Sequence, residues 1–429
     1  MNTRDLRLLL ALCLGSALAI TAVTWGPAAT VSQATPTTTT TTPFSTPNTD
    51  SCPQKTKPPN PIDESEVPEP GQPTPTPLAV PIPPVGGSRL GECGVVIPRG
   101  APPVPQDISA TAWQVSDLDT GEVLAAKDPH GRYRPASTIK VLLATVALRS
   151  LDLNKPVAGT QEDANADGTR VGIGPGGRYT NRQLMQALIM ASGNDAAHAI
   201  AAQLGGDAAA VQKMNELAKS LYALDTRTAS PSGLDGPGMS TSAYDLSVLF
   251  REAMTIPVFA ELIHTEQVDF PGYPKDPQNP DDKDHPGFPI ANDNHLLYDY
   301  DGALGGKTGY TDDARQTFVA AAQRDGRRLV VTLLKADVLP LRPSEQAARL
   351  LDYGFALPKS ATVGKLPETK SASTKGTAGL ASPPPKDTDH AEPADEPDNH
   401  AGNRTLLLVG GVVLVLALLF GARRVNRHR

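Results

Sequence analysis

The chain has 429 residues, 42 of them prolines and only 4% aromatic, and carries a net charge of −7. That length allows one large domain or two ordinary ones, and prolines crowding at both ends point to a single folded core between disordered flanks. No lysine- or arginine-rich run lies outside the terminal tails, so nucleic-acid binding has no electrostatic support. Of the three cysteines, Cys13 sits in an apolar run, which leaves Cys52 and Cys93. In an exported chain these two either form a disulfide, the commoner outcome, or stay as free thiols in a floppy segment. No CxxC or Cys/His cluster argues for a metal.

Arg4 and Arg7 precede an apolar run from Leu8 to about Val23, followed by small residues around Pro27 to Ala29. This is the order of an export signal, assigned to residues 1–29, without a clean cleavage site. Residues 30–105 are Thr- and Pro-rich, a composition that cannot bury enough apolar surface to offset its ordering entropy, and are expected to form a linker. Part of Val80 to Gly100 packs on the core if the disulfide forms.

Folded patterning occupies residues 106–358. Trp113, Val115 and Leu118, then Asp119-Thr-Gly and Val123-Leu124, predict a β-hairpin. An apolar helix with almost no polar face is expected from Ser137 to about Leu151, hence buried all round. Thr180 with Gln183 forms a capping box for a helix that stops at Ala191-Ser-Gly-Asn-Asp195. Further helices fit Ala196 to Leu204, Ala208 to Tyr222 and Ala243 to Thr255. Phe270 to Asn292 reads as a Pro- and Asp-rich surface loop. Two apolar runs around Asp325-Gly326 predict an antiparallel hairpin, and Ser344 to Tyr353 a last helix ending at Gly354.

Residues 359–404 are again low in complexity. Thr405 to Ala422 is an 18-residue apolar stretch followed by Arg423, Arg424, Arg427 and Arg429. Its length meets the lower bound for a transmembrane helix, with residues 423–429 as a basic cytoplasmic tail. The expected location is the cell membrane, single-pass, with the folded domain outside the cytoplasm.

Ser137-Thr-Ile-Lys140 places a hydroxyl and an amine on one helical face, where a lysine kept neutral by burial could take the hydroxyl proton. Such a pair is expected by chance about once in a chain this long. Read singly, Ser137 is an N-cap and Lys140 a snorkelling charge. Two further triplets change the weight of the pair. Ser192-Gly-Asn194 and Lys307-Thr308-Gly309 follow in order, and the three together match the motif set of penicillin-recognising serine enzymes.

The surroundings are Arg134-Pro-Ala-Ser-Thr-Ile-Lys, Ser192-Gly-Asn-Asp-Ala-Ala, Thr228-Ala-Ser-Pro-Ser-Gly-Leu, Asn292-Asp-Asn-His-Leu-Leu and Gly306-Lys-Thr-Gly-Tyr-Thr. From about Ile108 to Leu357 the chain resembles serine-type D-alanyl-D-alanine carboxypeptidases, the low-molecular-weight penicillin-binding proteins of peptidase S11 type, in their actinobacterial form. The resemblance implies an α+β, β-lactamase/transpeptidase-like fold, with an antiparallel sheet flanked by helices and an all-helical subdomain. It implies Ser137 as nucleophile, Lys140 as its base, Ser192 as proton relay and Asn194 as its orienter. Lys307, Thr308 and Gly309 would bind substrate, and the N–H groups of Ser137 and Tyr310 would hold the oxyanion. The implied partners are peptidoglycan stem peptides, β-lactams as inhibitors and the cytoplasmic membrane, with no metal or organic cofactor required.

Arg315 departs from the family pattern, which has a small residue there, and the Phe270 to Asn292 insertion could reshape the rim. There is too little patterned chain after the last helix for the extra C-terminal β-domain of some relatives. A class A β-lactamase needs a glutamate between the second and third motifs, and Thr228 to Met239 holds none. The remaining rivals are a DD-transpeptidase or endopeptidase, and a β-lactam-binding sensor that does not turn over.

Overall fold

The computed structural model describes residues 46–369. The expected signal (1–29), the start of the first linker, most of the second, the apolar stretch 405–422 and the basic tail lie outside them. Among the described residues no helix is long and apolar enough to cross a membrane.

The frame is an antiparallel sheet. Strand β1 (Val95–Val96) precedes the expected hairpin of β2 (Ala112–Asp117) and β3 (Glu122–Lys127), whose turn is closed by Asp117 Oδ1 accepting the N–H groups of Asp119 and Thr120. A 3-10 turn, Ala136–Ile139, then leads into α1 (Lys140–Ser150). Ser137 therefore sits in a tight turn, and the α-helix proper starts at the lysine. The helical subdomain follows: β4 (Pro156–Ala158), α2 (Gln161–Ala164), β5 (Arg178–Thr180), α3 (Asn181–Met190), α4 (Asn194–Gln203), α5 (Asp207–Ser220), α6 (Ala243–Ala253) and α7 (Pro257–His264). Thr180 and Gln183 form the expected capping box on α3.

The chain returns to the sheet through β6 (Gln267–Phe270), β7 (Phe288–Ala291) and α8 (Leu296–Asp299). Then come β8 (Ala303–Thr311), β9 (Arg315–Arg324), β10 (Arg327–Ala336), α9 (Pro343–Ala356) and β11 (Gly364–Lys365). The sheet order is β1-β3-β2-β10-β9-β8, with β11 beside β3, which leaves β8 on an edge. Asp325 and Gly326 both have positive φ, 50° and 74°, as a two-residue turn between twisted antiparallel strands requires.

Helices cover both sheet faces, so the central strands are apolar on both sides. Phe318, Ala320, Leu329, Val331 and Leu333 face the core under α9. Val319, Ala321, Val330 and Leu334 face the one shared with the helical subdomain. Every residue of α1 from Lys140 to Ala147 is buried, as its missing polar face predicts.

Two sequence expectations need correction. Gly354 does not end the last helix: it lies within α9, where a Cβ would come 2.7 Å from Val115 Cγ1, so it permits close helix–sheet approach. The insertion is not all loop, because β6 and β7 pair over its base and Phe270 stacks on Tyr179 at 5.4 Å.

A larger difference concerns the Pro/Thr-rich linker. From residue 46 onward it is a wrap laid on the folded domain. Cys52 and Cys93 are bonded, with Cα atoms 5.1 Å apart. Buried Arg132 donates to the carbonyls of Thr56 (2.8 Å), Leu78 (2.6 Å) and Ala79 (2.9 Å) and to Asp225 Oδ1 (3.2 Å). Beside it His130 Nδ1 meets Asp225 Oδ2 at 2.6 Å and Nε2 meets the Val85 carbonyl at 3.0 Å. Both ring nitrogens thus face acceptors, which suits an imidazolium that donates twice. Burial opposes its charge, but the Asp225 hydrogen bond and the Asp225 and Asp245 charges outweigh burial and raise its pKa. His130, Asp225 and Asp245 could also be viewed as a metal cluster; with both imidazole nitrogens committed, the ring instead ties the wrap to the domain.

A raised histidine pKa contributes stability that is complete below the unfolded value and fades as pH rises through the folded one. His130→Ala should therefore cost about 3 kcal/mol in mildly acidic buffer, as for other broken buried pairs, and less in alkaline buffer. Urea melts of both chains at pH 6 and pH 9 measure this, and an equal loss at both would reject the imidazolium.

Candidate active site

The site lies where the 3-10 turn before α1, the α3–α4 turn, the loop after α5 and edge strand β8 converge. Lys140 is fully buried. Its Nζ lies 2.7 Å from Ser137 Oγ, 2.6 Å from Asn194 Oδ1 and 2.8 Å from the Ser232 carbonyl. Burial, followed by the charge of Lys307, lowers the Lys140 pKa far below its ordinary value against the pull of Asp293 and Asp195. A neutral amine has two N–H bonds and one lone pair. Two of its three neighbours are carbonyls that only accept, so the lone pair is left for the Ser137 hydroxyl.

Each partner is held in turn. Asn194 Nδ2 donates to the Asp167 carbonyl at 2.6 Å, which turns Oδ1 toward Lys140. Asp195 accepts the N–H groups of Val171 (2.9 Å), Gly172 (2.7 Å) and Ile173 (2.9 Å), folding that loop onto the start of α4. Ser192, buried and with φ of 58°, forms the turn two residues before Asn194. Ala136, directly before Ser137, also has positive φ, 46°. The Pro135 carbonyl that precedes it accepts the hydroxyls of Thr138 (2.6 Å) and Thr317 (2.7 Å). Gly233 fits against this turn because any side chain would strike the Ala136 carbonyl.

Strand β8 completes the cleft. A Cβ on Gly309 would lie 2.8 Å from Ser137 N, so only glycine lets the strand approach the Ser137 backbone. Tyr310 follows, with its side chain exposed. Lys307 is fully buried and donates to the Thr308 carbonyl at 2.9 Å, with Asp293 Oδ2 at 3.5 Å. Burial lowers its pKa and Asp293 opposes the shift. Thr308 Oγ1 donates to Asp293 Oδ2 at 2.8 Å.

Beyond Thr308 opens a cavity of about 540 Å³ lined by Asp293, His295, Thr308, Phe318 and Arg342, among others. Arg342 stands at the start of α9, exposed, and lines the same cavity as Thr308, so a cation and a hydroxyl open onto one space in a setting suited to a carboxylate. The structure thus brings Ser137, Lys140 and Asn194 into direct contact and lays Lys307, Thr308, Gly309 and Tyr310 along the facing strand. Arg315 points elsewhere: its guanidinium pairs with Asp337 at 2.9 Å.

Sequence reasoning assigned no role to Asp293, Asp195, Ser232 or Arg342. Asp195 and Asp293 were visible as the acid in Ser192-Gly-Asn-Asp and in Asn292-Asp-Asn. Ser232 acts through its carbonyl, and Arg342 is distant from every motif, so neither left a local signal.

Residues 99–338 match the D-alanyl-D-alanine carboxypeptidase family, peptidase S11. The chain belongs to this family. It is 48% identical over 275 residues to the D-alanyl-D-alanine carboxypeptidase DacB2 of Mycobacterium tuberculosis, covering 63% of this chain and 90% of that one. Identity to DacF of Bacillus subtilis is 30%, covering 56% of this chain and 60% of that one. Among solved structures, a D-alanyl-D-alanine carboxypeptidase from M. tuberculosis matches with a TM-score of 0.58 at 47% identity, over 63% of this chain and all (100%) of that one. The Streptomyces K15 DD-transpeptidase matches with a TM-score of 0.54 at 27% identity, over 60% and 100%. The α+β fold of the penicillin-binding DD-peptidases and membership among the D-Ala-D-Ala carboxypeptidases, as hydrolases, follow.

The two lysines are electrostatically linked, and this has a measurable sign. In Lys307→Gln the like charge beside Lys140 is gone, so protonated Lys140 is less disfavoured and its pKa rises. The acid limb of the rate of penicillin acylation at Ser137 should move to higher pH. A limb that stays in place would mean that the base is not Lys140.

Proposed function

We propose that this protein removes the terminal D-alanine from peptidoglycan pentapeptide stems through an acyl-enzyme, and that penicillin intercepts the same serine. The observation that carries this reading is the buried Lys140 amine, with two carbonyl partners and Ser137 Oγ as the third. Ser137 Oγ attacks the carbonyl between the two D-alanines while its proton passes to Lys140. The oxyanion lies between the N–H groups of Ser137 and Tyr310, one at the helix entrance and one on the unpaired edge of β8. The terminal carboxylate rests against Lys307, Thr308 and Arg342.

As the C–N bond breaks, the Ser192 hydroxyl hands its proton to the departing amine and takes one from the Lys140 ammonium, which restores the neutral base. Asn194, with its two side-chain ends on Lys140 and the Asp167 carbonyl, holds the base rather than Ser192. Water then hydrolyses the ester, giving the shortened stem and free Ser137. Purified protein should release D-alanine from a pentapeptide ending in D-Ala-D-Ala. In Ser137→Ala that release should fall by at least about 10³-fold. Undiminished release from the variant would reject Ser137 as nucleophile.

A second reading has its own support. The cavity of about 540 Å³ beyond Thr308 is larger than one alanine needs, so an amine on a second stem could reach the acyl carbonyl. The K15 relative carries both descriptions, carboxypeptidase and DD-transpeptidase. Following D-alanine release and dimer formation in one assay separates hydrolysis from transfer, and penicillin labelling without release of D-alanine would favour a sensor.

The same reading places the catalytic domain outside the cytoplasmic membrane, held by residues 405–422. Full-length protein should sediment with membranes, whereas a chain ending at residue 404 should not. Retention of the shortened chain would reject the C-terminal tether.

A further inference from the structure

The groups assigned to the substrate's terminal carboxylate already hold a carboxylate of the chain itself. Thr308 has one hydroxyl proton to donate, and Asp293 Oδ2 takes it at 2.8 Å. Nζ of the fully buried Lys307 lies 3.5 Å from the same oxygen, with the carbonyl and hydroxyl of Thr308 at 2.9 and 3.4 Å. Asp293 is 36% exposed and lines the cavity of about 540 Å³ together with Thr308 and Arg342. A substrate carboxylate bound against Thr308 therefore meets a resident one, and like charges so placed repel.

Asp293 is not a surface acid free to swing aside. Its N–H donates to the carbonyl of Met190, the last residue of α3, at 2.8 Å. The asparagines on either side of it are buried. Asn292 Nδ2 donates to the Thr265 carbonyl at 3.0 Å, and Asn294 Oδ1 accepts the Leu296 N–H at 3.1 Å. The segment between β7 and α8 is thus tied to the ends of α3 and α7 and to the start of α8. In the empty cleft this arrangement has a clear use, because the charge of Asp293 favours the Lys307 ammonium that burial disfavours.

We infer that Asp293 is a specificity-determining residue, a built-in counter-charge that makes the cleft nearly indifferent to whether the leaving D-alanine ends in a carboxylate or in a primary amide. This rests on the carboxypeptidase reading above. A carboxylate is attracted by Arg342 but repelled by Asp293. An amide has no charge to repel: its NH2 donates to Asp293 Oδ2 while its carbonyl accepts from Arg342. The chemistry is otherwise the same. The same C–N bond breaks, D-alaninamide leaves with the proton that D-alanine would have taken, and water hydrolyses the same acyl-enzyme.

The test uses the full chain and two pentapeptides that differ only at the C-terminus, one ending in D-Ala-D-Ala and one in D-Ala-D-alaninamide. Both yield the same tetrapeptide, whose appearance gives kcat/KM for each. In the unaltered protein the carboxylate-to-amide ratio should stay below about tenfold. In D293N it should rise by at least about tenfold, as the loss of a like charge close to the bound carboxylate provides. D293E keeps the charge and should hold the ratio near its original value. Both peptides acylate Ser137 with the same base, so a change in folding or in Lys140 moves both rates together and cancels in the ratio. A larger ratio in the unaltered protein, which requires no variant to fold, overturns the inference, as does a ratio unmoved in D293N; either result leaves the carboxypeptidase reading standing. No tetrapeptide from either peptide overturns that reading and the inference with it.

Discussion

The structure turns on one buried amine. Lys140 lies inside a helix with no polar face, and an ammonium there would have to be desolvated beside a second lysine. Two carbonyls and a hydroxyl satisfy the neutral amine, and each belongs to a different element. The α3–α4 turn delivers Asn194, the loop after α5 delivers the Ser232 carbonyl, and the 3-10 turn delivers Ser137. Moving any of these would leave a buried polar group unpaired, which costs more than the single lost hydrogen bond. The requirement to satisfy one amine therefore fixes three loops relative to one another.

The sheet supplies the fourth wall by a different constraint. β8 is an edge strand, and Gly309 brings its backbone to the Ser137 N–H. Edge strands carry unpaired backbone groups that can pair with another chain, and here the unpaired side faces the cleft, where a substrate strand can use it. The opposite edge of β8 pairs with β9 along its whole length, from Ala303 with Ala322 to Thr311 with Arg315. A side chain at Gly309 would thus be trapped between a fixed strand and the catalytic turn.

What the sequence disclosed follows from how local each signal is. The three motifs are short, and each lies on one turn or one strand, so they could be read as an ordered set, which no single spacing allowed. The apolar runs of β9 and β10, with Asp325-Gly326 between them, were equally readable because run length and turn chemistry are properties of neighbours. Asp195 and Asp293 stood in the quoted segments, but their roles were not readable because their partners, the Val171 to Ile173 N–H groups and Thr308, are distant in sequence. The wrap was misjudged for a more specific reason. Proline removes an N–H donor but leaves the carbonyl, so a proline-rich segment remains rich in acceptors. The domain supplies the donors: Lys127 to Pro47, Arg132 to Thr56, Leu78 and Ala79, Arg227 to Thr76, and Tyr353 to Pro102. Composition counts the apolar surface a segment can bury by itself, and misses a neighbour that offers its carbonyls hydrogen bonds.

Strain is distributed in the same way. Ala136 and Ser192, both non-glycine residues at positive φ, each sit within two residues of a group that bears on Lys140. Such conformations persist only where the surroundings determine them more strongly than the local backbone does. At Ala136 the restraint is the Pro135 carbonyl, gripped by one hydroxyl from the turn and another from β9. At Ser192 it is the α4 start, held by the Asp195 carboxylate against three backbone N–H groups. Both turns are thus fixed before substrate arrives. The hydroxyl, the amine and the facing strand need not reorganise when charge develops, and preorganisation of that kind is what lowers a barrier.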